Sequence, residues 1–211
     1  MTSAISADVE TTAAASVGRF VLRTLAWLPV AFVVWYFTAP LLLWPSVLVL
    51  RAIGHTAFAD VVRAVEQSAA TATFVTPLRS GGVAQAGVIT VDVNLLLYAF
   101  GMPLFAALTL AARERAWKRH LAVGYAVLAP LVAASAFADF LKNIAITAGP
   151  AVASQAGFVA WQREAIAFAY QFGTLILPAV APAVLWVATH GRFLAALREG
   201  RARARVSRPA A

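Results

Sequence analysis

Between Arg23 and Arg51 the chain runs for 27 residues, Thr24 to Leu50, without a charge. An α-helix rises 1.5 Å per residue, so about 20 apolar residues cross the ~30 Å hydrocarbon core of a bilayer. A segment this long and this oily points to lipid as its solvent. Three more stretches follow: Leu95 to Ala112, Leu121 to Asp139, and Ala165 to Thr189. Pro29, Pro40 and Pro45 interrupt the first, Pro178 and Pro182 the fourth. Such prolines are tolerated in membranes where neighbouring helices take over the freed carbonyls. The expected fold is an all-α membrane protein. It is a four-transmembrane-helix bundle within residues 19–191, with spans at about 24–50, 95–112, 121–139 and 165–189.

Composition agrees. Of the 211 residues, 62% are hydrophobic and 12% charged, about half the charge of an ordinary soluble domain. There is no cysteine, which removes disulfides, thiolate metal ligands and a cysteine nucleophile. The net charge of +8 is unevenly placed. Twelve of the 17 Lys and Arg lie before Thr24, in the 113–120 segment and in the tail from Arg192 onward. By the positive-inside rule those parts face the cytoplasm, and residues 51–94 and 139–164 face outward. Residues 1–18 lack the basic start and apolar core of a signal peptide and are small and polar, so they read as a disordered cytoplasmic N-terminus. Residues 192–211 read as an Arg-rich cytoplasmic tail, suited to anionic membrane lipids rather than nucleic acid.

The outward insertion 51–94 divides in two. Over residues 52–69, Ile53, Ala57, Val61, Val62 and Val65 recur at helical spacing with Asp60, Arg63 and Glu66 opposite. That pattern predicts a small periplasmic amphipathic helix on the membrane surface. Residues 71–78 and 86–93 are rich in Thr, Val, Ile and Phe around Gly81-Gly82, and predict a β-hairpin. A lone hairpin is marginal in water. It needs its own helices or a partner's strand to lean on.

Residues with chemical potential are few. Asp139 and Lys142, three apart, can pair on one helix face at the outer end of the third span. Tyr170 and Gln171 fall in the outer third of the fourth span, where a glutamine bonds a neighbouring helix or recognises a partner. Asp92 and Asn94 close the hairpin, and either serves as an N-cap for the second span. These six are the candidate partner-contact residues. His55 is assigned to the outside, and His120 and His190 to interfacial anchoring inside, so no metal site shared by the three is expected. No hydrolase, zinc-protease, P-loop or dinucleotide fingerprint occurs. No catalytic, cofactor or metal residue is assigned. An enzyme built on Asp139, Lys142 and His55 ranks last, since no nucleophile–base spacing is present.

Several strings resemble a known family. They are Trp27-Leu28-Pro29 with Trp35-Tyr36, Asp92-Val93-Asn94 running into Tyr98-Ala99-Phe100-Gly101-Met102-Pro103-Leu104, and Tyr170-Gln171-Phe172-Gly173-Thr174-Leu175-Ile176-Leu177-Pro178. This layout, over most of residues 20–190, resembles the exosortase H-associated membrane proteins of Gram-negative bacteria. The resemblance implies an inner-membrane, multi-pass protein beside an exosortase, a membrane cysteine transpeptidase that processes C-terminal sorting signals. A chain without cysteine is not itself such an enzyme. The function it implies is that of a non-enzymatic accessory subunit that binds a partner or presents substrate. The alternative is a small transporter or lipid-handling protein, for which the broken first and fourth spans would line a cavity.

Overall fold

The computed structural model describes residues 2–79 and 87–195, with side chains from residue 17 onward. The chain opens with one long helix, α1 (Thr2–Ala57), which passes through Pro29, Pro40 and Pro45 without a break. It starts inside the segment expected to be a tail, where Ala13, Ala14 and Ala15 favour helix. A three-stranded antiparallel sheet follows, β1 (Ala64–Ser68), β2 (Thr71–Arg79) and β3 (Val88–Asn94), in the order β1-β2-β3. The chain then forms α2 (Leu96–Ala99) and α3 (Gly101–Ala112), α4 (Trp117–Lys142) with a π-helical extension Asn143–Thr147, and α5 (Pro150–Gln155). It ends in α6 (Ala160–Gln171), a π segment Phe172–Ile176, and α7 (Leu177–Thr189).

Three helical stretches are long and apolar enough to cross a membrane: Val17–Ala57, Trp117–Thr147 and Ala160–Thr189. The expected second span, Leu96–Ala112, is apolar but shorter. Its α3 part sits within the bundle, with Met102, Phe105, Ala107 and Ala111 almost fully covered. The three long stretches instead expose large apolar side chains, among them Phe37 at 78%, Leu41 at 75% and Leu175 at 71%. In water each would be a liability; in hydrocarbon each is solvated.

One expectation is corrected. Residues 52–69 are not one amphipathic helix. α1 continues to Ala57, a turn at Phe58 follows, and Ala64–Ser68 is a strand. Val61, Val62 and Val65 are buried as expected, but β1 buries Val65 by alternation, with Glu66 exposed beside it. β-branched residues at close spacing serve either period, and sheet pairing decides. The expected hairpin is therefore two strands of a three-stranded sheet. The oily run 24–50 lies inside one of the membrane-length stretches, Val17–Ala57. One face of its later part (Leu43, Val47, Leu50) is fully buried within the core, while Leu41, Trp44 and Leu48 are exposed. Gln67 Nε2 donates to the Pro40 carbonyl at 2.8 Å and Arg51 Nε to the Val65 carbonyl at 2.9 Å, laying the sheet along this half of α1.

β2 anchors the sheet. Ala72, Phe74, Thr76 and Leu78 point inward. The Phe74 ring stacks on Phe140 of α4 at 4.3 Å, and Phe58 meets Phe137 edge-on at 4.8 Å. Between Val75 and Arg79 the β2–β3 register slips, where Pro77 has no N–H to give the ladder. The fully buried Thr76 hydroxyl donates to the Ile89 carbonyl at 2.8 Å across this irregular stretch.

Candidate functional site

The polar residues of the helices gather where α4 and α6 meet under the sheet. Lys142 Nζ lies 3.0 Å from Asp139 Oδ1, as their spacing predicts. Asn143 Nδ2 donates to the same carboxylate at 3.2 Å and to the Asp139 carbonyl at 2.9 Å. The Lys142 ammonium also sits 4.4 Å from the centre of the Tyr170 ring, a cation–π contact. Buried Tyr98 of α2 points its hydroxyl into the group, interacting with Asp139 and Thr174. The side chains of Asp139 and Lys142 are 13% and 24% exposed. The pair is thus neither free in water nor sealed, and the two charges feel each other more strongly than a surface pair does.

Both π segments border this cluster. Each closes with an i→i+5 bond, Ala148 N–H to the Asn143 carbonyl and Leu177 N–H to the Phe172 carbonyl. Such bulges insert an extra residue into a helical turn and recur at functional sites. Gly173 in the second lies so close to α4 that a Cβ there would sit 3.1 Å from Ser135 Cα. Gly101 packs against the Pro178 carbonyl and the Pro182 ring with no room for a Cβ. The strings beginning at Tyr98 and Tyr170 thus meet where Gly101 of the first packs on Pro178 of the second, while Gly173 lets the second approach Ser135 of α4; Tyr98 reaches Asp139 and Tyr170 covers Lys142.

The other expected residues are placed less centrally. Asp92 Oδ1 accepts from the Thr73 hydroxyl at 2.6 Å across β2 and β3. Asn94 Oδ1 accepts from Leu96 N–H at 3.0 Å, although the N-cap position of α2 itself is Leu95. Gln171 is exposed, with no side-chain hydrogen bond among the described residues, so the bond to a neighbouring helix is not formed. Tyr98 and Thr174 were overlooked as site residues. Their signal was the matching aromatic–glycine pattern of the two strings, Tyr-Ala-Phe-Gly and Tyr-Gln-Phe-Gly.

A family model described as exosortase H-associated membrane protein matches residues 14–193. The chain belongs to that family. As an exosortase H-associated membrane protein it carries the fold and the docked strings just described over most of its matched length. No curated protein and no solved structure gives a match.

At the far end of the bundle the structure joins residues that the sequence left apart. The His120 and His190 rings meet edge-on at 4.5 Å, and His120 Nδ1 lies 3.4 Å from Glu114 Oε2. His55 is not part of this group. Burial holds the His190 imidazole below its ordinary value of 6.5, and nearby His120 pushes the same way. The hydrogen bond to the Trp186 carbonyl and the Glu114 carboxylate oppose that shift.

Proposed function

We propose that this chain is a non-enzymatic accessory subunit of an exosortase system in the bacterial inner membrane. It crosses four times, with both termini cytoplasmic, and binds a membrane partner or presents a substrate at its sheet end. The exosortase association follows from the family; the binding role rests on β3. Among the described strands β3 pairs only with β2, and Val88, Thr90, Asp92 and Asn94 are exposed along it. A strand edge with unpaired N–H and C=O groups accepts an added strand. β3 leads through Leu95 into α2, whose Tyr98 enters the Asp139 cluster. An extended peptide added to β3 would therefore run toward a site offering an ammonium, a carboxylate and two phenols.

Four crossings are favoured by where the ends fall. α1 and α4 both finish at the sheet end, while His120 at the start of α4 meets His190 at the end of α7. Leu96–Ala112 has to carry the chain between the two ends, and its 17 residues reach about 25 Å. The conduit reading has less support. The void between α3, α4 and α7 is about 10 Å3, room for about one water.

Co-expression of the tagged full chain with an exosortase, followed by pull-down from detergent, tests the proposal. We expect co-recovery of the enzyme. The double variant Val88→Lys and Thr90→Lys, which charges the exposed edge, should cut it at least about fivefold. No co-recovery by the wild type would refute the accessory role, and unchanged recovery by a stably inserted variant would refute the β3 surface.

A further inference from the structure

The Glu114–His120–His190 group is built from three separate parts of the chain: the turn after α3, the first turn of α4, and the residue capping α7. Their candidate ligand atoms all lie within 4.8 Å of one another. The deepest member is His190. The Thr189 hydroxyl lies within reach of the Leu185 and Trp186 carbonyls, at 2.8 and 3.2 Å, and of His190 Nδ1 at 3.0 Å. The other neighbour of His190 Nδ1 is the Trp186 carbonyl at 3.1 Å, which only accepts. A hydrogen bond to that carbonyl needs the tautomer with the proton on Nδ1, which leaves a lone pair on Nε2. That Nε2 is buried and has no hydrogen-bond partner, in a residue with no exposed surface. Glu114 Oε1 and His120 Nδ1 are likewise buried without a hydrogen bond; His120 Nδ1 has only the 3.4 Å ionic contact with the other carboxylate oxygen, Oε2.

Three polar atoms that converge and are buried without hydrogen bonds are costly unless something fills the gap. The geometry points to a binding site for a divalent cation of the zinc class, held by Glu114, His120 and His190 Nε2. Two imidazoles and a carboxylate are a ligand set such ions accept. The His190 Nδ1–H bond to a backbone carbonyl is the second-shell contact that orients ligating histidines. Ligand atoms around such an ion lie roughly 3.4 Å apart. The present spacing therefore needs a small inward closure, which the partly exposed Glu114 and His120 side chains permit. Bound metal would pin the turn after α3 to the end of α7 and clamp the bundle at its basic end.

The test uses the full, tag-free chain in detergent, stripped with chelator and titrated with Co2+, whose d–d absorption reports coordination by nitrogen and oxygen. We expect saturation near one Co2+ per chain, displacement by Zn2+, and a Zn2+-dependent rise in thermal midpoint. Glu114→Gln and His120→Asn, both at partly exposed sites, should each weaken binding at least tenfold, while His55→Asn should leave it unchanged. Absence of the Co2+ bands in the wild type would overturn the proposal. So would bands that persist in a well-folded Glu114→Gln, His120→Asn double variant.

Discussion

His190 shows what a single residue adds that sequence alone does not give. It stands at the end of an apolar helix, beside an Arg-rich tail, and that context suggests only an interfacial anchor. In the fold it is fully buried, stacked on Trp186 at 5.1 Å and facing His120. Because its folded pKa lies below its unfolded 6.5, the unfolded chain binds more protons in the window beneath that value. Stability should therefore fall as pH drops from about 7 through 6.5, and His190→Asn should flatten that slope in chelated samples. A wild-type midpoint that stays level across the window would contradict the burial argument. Asp139 and Lys142 behave oppositely: their spacing of three was legible and the ion pair forms at 3.0 Å. Asp139→Asn should destabilise by about 1–2 kcal/mol, between the values for exposed and buried pairs. Chemical unfolding of the variant and of the Asp139→Asn, Lys142→Met double variant would measure their coupling.

At the scale of elements, the helices were readable and the insertion less so. Apolar length marks α4 and the α6–α7 stretch well, because nothing but lipid or a deep core accommodates it. The same criterion finds α1 but does not show that one face of its later half, Leu43, Val47 and Leu50, is apolar for a sheet that folds back from 25 or so residues downstream. A hydrophobic run does not say whether lipid or protein will cover it. β1 was missed because Val61, Val62 and Val65, only the last of them within the strand, fit a helical period as well. Two element contacts give direct tests. Phe74→Ala would leave a void against Phe140 and should cost about 3–4 kcal/mol, seen as early loss of hydrogen-exchange protection in β2. Gly101→Ala drives a methyl into the Pro178 carbonyl and the Pro182 ring, neither of which can swing away. A cost of about 1–3 kcal/mol in thermal unfolding is expected. A neutral Gly101→Ala would mean that α3 and α7 are not in register as described.

For the molecule as a whole, the account is of a bundle with two unlike ends. One end carries a sheet and a cluster of charge and phenol; the other carries the basic turn and the paired histidines. Residues 17–57 of α1 alone extend for about 60 Å, twice the hydrocarbon thickness, so an upright α1 reaches beyond it. The membrane character and the family were both legible in the sequence, whereas the joining of distant polar residues at each end depended on tertiary packing. The central claim is that these ends lie on opposite sides of the membrane. Because the chain has no cysteine, single-cysteine labelling reads this directly. Arg79→Cys at the end of β2 and Arg115→Cys in the turn after α3 are both exposed positions. In intact spheroplasts a membrane-impermeant maleimide should label Arg79→Cys at once and reach Arg115→Cys only after permeabilisation. Equal labelling of both without permeabilisation, or the reverse order, would contradict the account.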